Sequence, residues 1–166
     1  MTAKLPDLTA LLRLRPLHAA SLAVALGAFA MTADAATAPQ KYKEWTVQCM
    51  AESACIAHLD HAGVQILVGR TKANMPVRMA FRIPASAKTG QPVALRLNDG
   101  WQAGLRTGKC MKAFCEVGVA EKATDIAIAA LSRNTGGLIA YQVKDRILLV
   151  AFPLDGFSEA LNQVKK

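Results

Sequence analysis

Trp101-Gln102-Ala103-Gly104-Leu105-Arg106-Thr107-Gly108-Lys109-Cys110-Met111-Lys112-Ala113-Phe114-Cys115-Glu116-Val117-Gly118-Val119 is the stretch that decides how this chain folds. Two strand-like runs flank the segment from Gly108 to Cys115, and the two cysteines sit where the ends of a hairpin face each other. The spacing predicts a β-hairpin stapled by a disulfide. Just upstream, Asn98-Asp99-Gly100 is a tight-turn signal, because Asp-Gly readily supplies the positive φ angles of a primed turn. The alternating strand through Val93, Leu95 and Leu97 is therefore expected to pair with the one opening at Trp101. With the stapled hairpin following directly, the expectation is a meander of three strands.

Outward from this stretch the same period of two recurs. Trp45, Val47 and Cys49 alternate with Thr46 and Gln48, describing a strand with one buried face. Cys55 to Leu59 then returns antiparallel to it, and Val64 to Val68 follows the turn Asp60-His61-Ala62-Gly63. Val77, Met79, Phe81 and Ile83 alternate with Arg78, Ala80 and Arg82 in the clearest half-buried strand, bracketed by Pro76 and Pro84. Downstream, Ala120 to Arg133 reads as a helix with Ile126, Ala127, Ala130 and Leu131 on one face, stopped by Asn134-Thr135-Gly136-Gly137. Leu138 to Val143 and Arg146 to Phe152 form a last strand pair joined at Lys144-Asp145. Because Ile147 to Phe152 is apolar on both sides, that strand is expected to be central or covered by a helix. Phe157, Ala160, Leu161 and Val164, spaced i, i+3, i+4 and i+7, close the domain with an amphipathic helix. The fold class is mainly β: an antiparallel sandwich or barrel-like domain of about nine strands with two short helices and two local disulfides.

The beginning of the chain reads as an address label. Lys4, Arg13 and Arg15 give a basic opening, Leu17 to Ala30 is an apolar run, and Ala33-Asp34-Ala35 supplies a small-x-small cleavage pattern. Ala28-Phe29-Ala30 is a second candidate. The run falls short of the roughly 20 apolar residues that a membrane span needs. The expected organisation is a signal peptide over 1–35, a flexible lead-in over 36–43 that contains Pro39, and a β-rich domain over 44–166, with no transmembrane helix in the mature protein. The whole chain carries 20 basic and 12 acidic residues. Removing 1–35 takes away Lys4, Arg13, Arg15, Asp7 and Asp34, leaving 17 against 10 and a formal charge of +7. Such a charge favours acidic partners, namely anionic lipid, acidic polysaccharide or a negatively charged envelope or host protein, and it also keeps a small domain soluble. Export and the lack of a recognition motif argue against nucleic acid.

Cys49, Cys55, Cys110 and Cys115 all lie in the mature part. An oxidising compartment makes disulfides the default, and three pairings are formally available. Local pairing, Cys49 with Cys55 and Cys110 with Cys115, is favoured by the short loops each closes. Neither pair has the C-x2-C spacing of a zinc site or of a thiol oxidoreductase. The rival reading is a periplasmic redox or metal-dependent enzyme. Lys109 and Lys112 beside Cys110 would lower a thiol pKa, and His58 and His61 form an H-x2-H pair, weak candidates for a metal because two turn histidines are more often solvated. No motif of a nucleophilic hydrolase, zinc protease or phosphate-binding loop occurs, so no catalytic residue and no cofactor are assigned. Arg78, Arg82 and Arg96 occupy the outward register of their strands. If those strands share a sheet, their guanidinium groups form a basic stripe suited to carboxylates and phosphates. Arginines so placed also protect the exposed side of an antiparallel sheet from unwanted association.

With the cysteine spacings and the ending in view, the chain resembles the invasion-associated locus B (IalB) family of exported alphaproteobacterial proteins. The residues that carry the resemblance are Trp45-Thr46-Val47-Gln48-Cys49, Cys55, the Cys110 to Cys115 segment, and Phe152-Pro153-Leu154-Asp155-Gly156-Phe157-Ser158-Glu159-Ala160-Leu161. They run in matching order over about residues 42 to 164. Phe114 stands before Cys115 where the family usually carries a small residue. The resemblance implies a periplasmic or outer-envelope β-rich domain with no established catalytic activity, cofactor or site residues, contributing in some pathogenic relatives to invasion of host erythrocytes. The function expected from it is that of an exported envelope binding or interaction protein.

Overall fold

The computed structural model describes residues 37–50, 54–72 and 74–166. The expected leader over 1–35 and the turn residues 51–53 lie outside the described residues. Among those described, the elements run β1 (Thr37–Tyr42), β2 (Trp45–Cys49), β3 (Cys55–His61), β4 (Val64–Gly69), β5 (Arg78–Pro84), β6 (Pro92–Leu97), β7 (Gln102–Arg106), β8 (Phe114–Gly118), α1 (Glu121–Ser132), β9 (Gly136–Val143), β10 (Arg146–Pro153) and α2 (Phe157–Lys165). Every strand pair is antiparallel. The strands form a six-stranded sheet in the order β1-β2-β3-β4-β5-β8 and a four-stranded sheet in the order β10-β9-β6-β7.

Alternation along the strands decides what is buried. Trp45, Leu59, Ile66, Val68, Met79, Phe81, Ile83 and Val117 of the first sheet meet Val93, Leu95, Leu97, Ile139 and Tyr141 of the second in one core cluster. Ala127, Ile128, Ala130 and Leu131 of α1 join the same cluster, as do Phe157, Ala160, Leu161 and Val164 of α2, the four residues its period predicted. Each large side chain buried this way contributes about 1.5–3 kcal/mol. The Trp45 ring sits 4.8 Å from that of Phe157, tilted by 52°, tying β2 to α2. Gly156, with φ 86°, begins α2 where a Cβ would collide with the Tyr42 carbonyl oxygen, so only glycine lets the helix close onto the β1–β2 turn.

The sequence expectations need five corrections. The lead-in over 36–43 contains β1, whose polar residues gave no alternation but whose backbone pairs with β2 from Gln40↔Val47 to Tyr42↔Trp45. The three-stranded meander does not form: β7 pairs with β6 in the second sheet, while β8 pairs with β5 in the first. Thr107 supplies the reason. It is buried at the crossing, donates from its hydroxyl to the Lys88 carbonyl, accepts from the Gln91 amide at 2.8 Å, and so pins the departing chain to the loop before β6. Third, the turn after β6 is not a two-residue primed turn. The Gly100 amide donates to the Leu97 carbonyl at 3.0 Å and Gly100 alone of the turn residues has positive φ, 90°, which describes a type I turn followed by a left-handed glycine. Fourth, Ile126 is exposed, and Ile128 takes the inward place on α1. Fifth, among the described residues β10 is neither central nor covered; it is the edge strand of its sheet, with Ile147, Leu148 and Leu149 exposed.

Candidate functional site

The cysteines clip neighbouring stretches of chain together. Cys49 and Cys55 stand directly opposite each other in the β2–β3 pair and are bonded, with a sulfur separation of 2.03 Å. Cys110 and Cys115 are bonded at 1.99 Å across an isolated antiparallel bridge. The hairpin they staple is short. Its backbone bonds run from the Gly108 amide to the Glu116 carbonyl (2.6 Å), from the Glu116 amide to the Lys109 carbonyl (3.0 Å) and from the Met111 amide to the Phe114 carbonyl (2.7 Å). Both pairings are the local ones, and they leave no free cysteine among the described residues.

The outward face of the six-stranded sheet carries a polar row that register builds. Asp60 pairs with Gln65, Gln65 with Arg82, and Arg82 with Glu116, so four polar side chains from β3, β4, β5 and β8 line up across the strands. Gln65 Nε2 donates to Asp60 Oδ1 at 2.7 Å, and Arg82 Nη1 donates to Gln65 Oε1 at 2.9 Å. Arg82 Nη2 lies 3.7 Å from Glu116 Oε1, and the guanidinium carbon rests 4.4 Å from the centroid of the Phe114 ring. A partly exposed ion pair of this kind contributes at most about 1 kcal/mol, so the row fixes Arg82 in place more than it stabilises the fold. Two depressions flank it. One, of about 510 Å³, is lined by Asp60, His61, Gln65, Arg82 and Phe114; the other, of about 300 Å³, by Gln48, Ile56, His58, Gln65, Leu67 and Arg82.

The three arginines singled out by sequence do not share one sheet. Arg78 and Arg82 lie on β5 in the first sheet, four residues apart and hence about 13 Å along the strand. Arg96 lies on β6 in the second sheet, which breaks the expected stripe of three. Arg78 lines a third depression, of about 490 Å³, together with Arg70, Met75 and Glu116. Arg70 itself donates to the Val164 carbonyl at 3.0 Å and so binds the carboxy end of α2, where a cation is favoured.

The two histidines are not brought together. Their spacing of three along β3 turns their side chains to opposite faces. His58 Nε2 lies 3.5 Å from Asp60 Oδ2 on the outward face, while His61 is exposed at the strand end. Among the described residues no group of three or more His, Cys, Asp and Glu side chains is placed to hold a metal ion. Asp60, Gln65 and Glu116 of the row, and Phe114 beneath the Arg82 guanidinium, are the residues that sequence reasoning missed as functional. Their signal exists only in the strand register, apart from the unusual bulk of Phe114 beside Cys115.

Asp99 and Tyr141 are shifted from their ordinary values. A hydrogen bond from the Trp101 amide, assisted by Asn134, lowers the Asp99 carboxyl below its ordinary value, and burial raises the Tyr141 phenol. Among the described residues no helix is long and apolar enough to cross a membrane.

The family model described as invasion associated locus B (IalB) protein matches residues 32–165. Among solved structures, the chain is similar to invasion associated protein b from Bartonella henselae, with a TM-score of 0.62 and 22% identity over 77% of this chain and 96% of that one. At that identity the likeness is one of fold. No curated protein matches the chain.

Proposed function

This chain belongs to the invasion associated locus B (IalB) family, and from that premise we propose that it is an exported cell-envelope protein that works by binding rather than catalysis. Its expected leader over 1–35 directs it to the periplasm or outer envelope, and cross-strand disulfides suit that oxidising compartment. The partner carries anionic groups, whether on lipid, on polysaccharide or on an acidic envelope or host protein. A share in contact with host cells is the role that the family's description suggests.

One observation carries the reading: Arg78 and Arg82 share the outward register of a single strand, each beside a depression wide enough for an acidic group. Arg82 is held by Gln65 and Phe114 with its planar fork oriented before any ligand arrives, which limits the ordering cost of binding. The test is retention on vesicles containing anionic lipid and on an acidic polysaccharide resin. The double variant Arg78→Ala with Arg82→Ala should lose most retention at near-physiological salt. Arg96→Ala, on the other sheet, should lose little. Equal losses for the three arginines would mean that net charge alone drives adsorption, and the assigned face would be wrong. The rival enzyme reading is tested separately by thiol trapping of protein taken from the envelope: reactive Cys110 or Cys115 would favour redox chemistry.

A further inference from the structure

Of the strands that end the two sheets, three carry devices that discourage further pairing. β1 has Pro39, Lys41 and a register shift between Thr37 and Gln40; β7 is five residues long and includes Gly104 and Arg106; β8 is five residues long and carries Glu116. β10 is different. It runs eight residues in unbroken register with β9, has Arg146 as its one charge and Pro153 only at its last position, and leaves Ile147, Leu148 and Leu149 exposed by 73, 40 and 68%.

The directions of these three side chains select what covers them. Ile147 and Leu149 stand opposite Gln142 and Ala140 on the outward face, whereas Leu148 stands opposite the buried Tyr141 and points the other way. A flat surface lying against one face of the sheet reaches Ile147 and Leu149 or reaches Leu148, but not all three, and it leaves the open backbone edge unpaired. A strand laid alongside reaches all three, because its own side chains fall on both faces and its backbone takes up the amide and carbonyl groups of the open edge. We propose that this strand is β10 of a second copy, paired antiparallel about a two-fold axis through Leu149.

Charge and register favour the second copy. Centred on Leu149, the pairing sets Ile147 against Ala151 of the second copy and Arg146 against its Phe152. The two Arg146 residues then lie six positions apart, about 20 Å, more than two screening lengths of roughly 8 Å at physiological salt. The strands of this sheet contain no acidic residue to answer a cation. Stacking two such sheets face to face would therefore bring Arg96 and Arg106 of both copies to within about 10 Å, whereas edge pairing keeps them on strands remote from the axis. An edge about 27 Å long and about 10 Å deep covers far less than the roughly 800 Å² per partner of a stable complex. The dimer is accordingly weak and concentration-dependent.

Sedimentation equilibrium of the disulfide-bonded protein, from micromolar to millimolar concentration, tests this. The weight-average mass should rise towards twice the monomer value, and Leu149→Lys should raise the dissociation constant by about tenfold or more with an unchanged melting curve. Leu149→Cys should give a disulfide-linked dimer under mild oxidation, since paired Cα atoms about 5.5 Å apart suit the bond. Gln102→Cys, on the edge strand β7, should not. A monomer at every concentration, equal cross-linking at Gln102, or Leu149-dependent binding to vesicles by a monomer would each overturn the proposal.

Discussion

Cys110 is bonded across a single antiparallel bridge to Cys115 of β8 in the six-stranded sheet, yet the strand that precedes Cys110, β7, belongs to the four-stranded sheet. The clip therefore sits at the crossing of the sandwich, holding the chain as it passes from one sheet to the other. The Glu116 amide bonds back to Lys109 beside it, and Ala85 donates to the Ala113 carbonyl at 3.3 Å, joining the crossing to the loop before β6.

Replacing both Cys110 and Cys115 by serine should leave the sheets intact and lower stability by about 2 kcal/mol, the chain-entropy value for so short a loop. The urea midpoint measures it. A loss of the far-ultraviolet strand signal would mean that the crossing nucleates the fold.

Gly156→Ala should cost more than the ordinary penalty for a left-handed residue, about 1 kcal/mol, because the new methyl group also meets the Tyr42 carbonyl. A fall of several degrees in the thermal midpoint is expected. An unchanged midpoint would show that α2 does not need this close approach.

Glu116→Gln removes the acidic neighbour of Arg82 while keeping its size. Stability should change by less than about 1 kcal/mol. Retention on anionic vesicles should strengthen, the opposite sign to the arginine variants, and weaken with salt. A decrease in retention would count against Arg82 as a contact.

Asp99 gives a pH signature outside the site. Its carboxylate accepts from the Trp101 amide at 2.9 Å, which lowers its pKa below the ordinary 3.8. A depressed carboxylate contributes stability that is present above the unfolded value and lost as pH falls through the folded one. The carboxyl resonance of Asp99 should titrate below 3.8, and Asp99→Asn should remove that acid-side contribution. A midpoint at or above the ordinary value would show the bond to Trp101 to be absent in solution.

Where alternation was strong the sequence could be read directly. Val77 to Ile83 and the four apolar residues of α2 fell on the expected faces because burial on one side leaves a period that composition cannot hide. β1 was illegible for the opposite reason, since backbone pairing asks nothing of its polar side chains. β7 and β8 were misjoined because a cysteine pair reports nearness in space and is silent on which sheet receives the next strand. β10 misled because an apolar run looks the same whether a strand is covered within the chain or left bare at an edge. Of the candidate site, Arg82 was visible as an outward cation on β5. Its row with Asp60, Gln65 and Glu116 joins residues far apart in the chain and exists only through the register of four strands.

The sharpest measurement is amide chemical-shift mapping of isotope-labelled protein titrated with small anionic-lipid discs. The binding account predicts that shifts concentrate at Arg78, Arg82, Gln65, Phe114 and Glu116 and vanish in the Arg78→Ala, Arg82→Ala variant. Shifts centred on Arg96 and Arg106 instead, or scattered over every lysine and arginine, would contradict it.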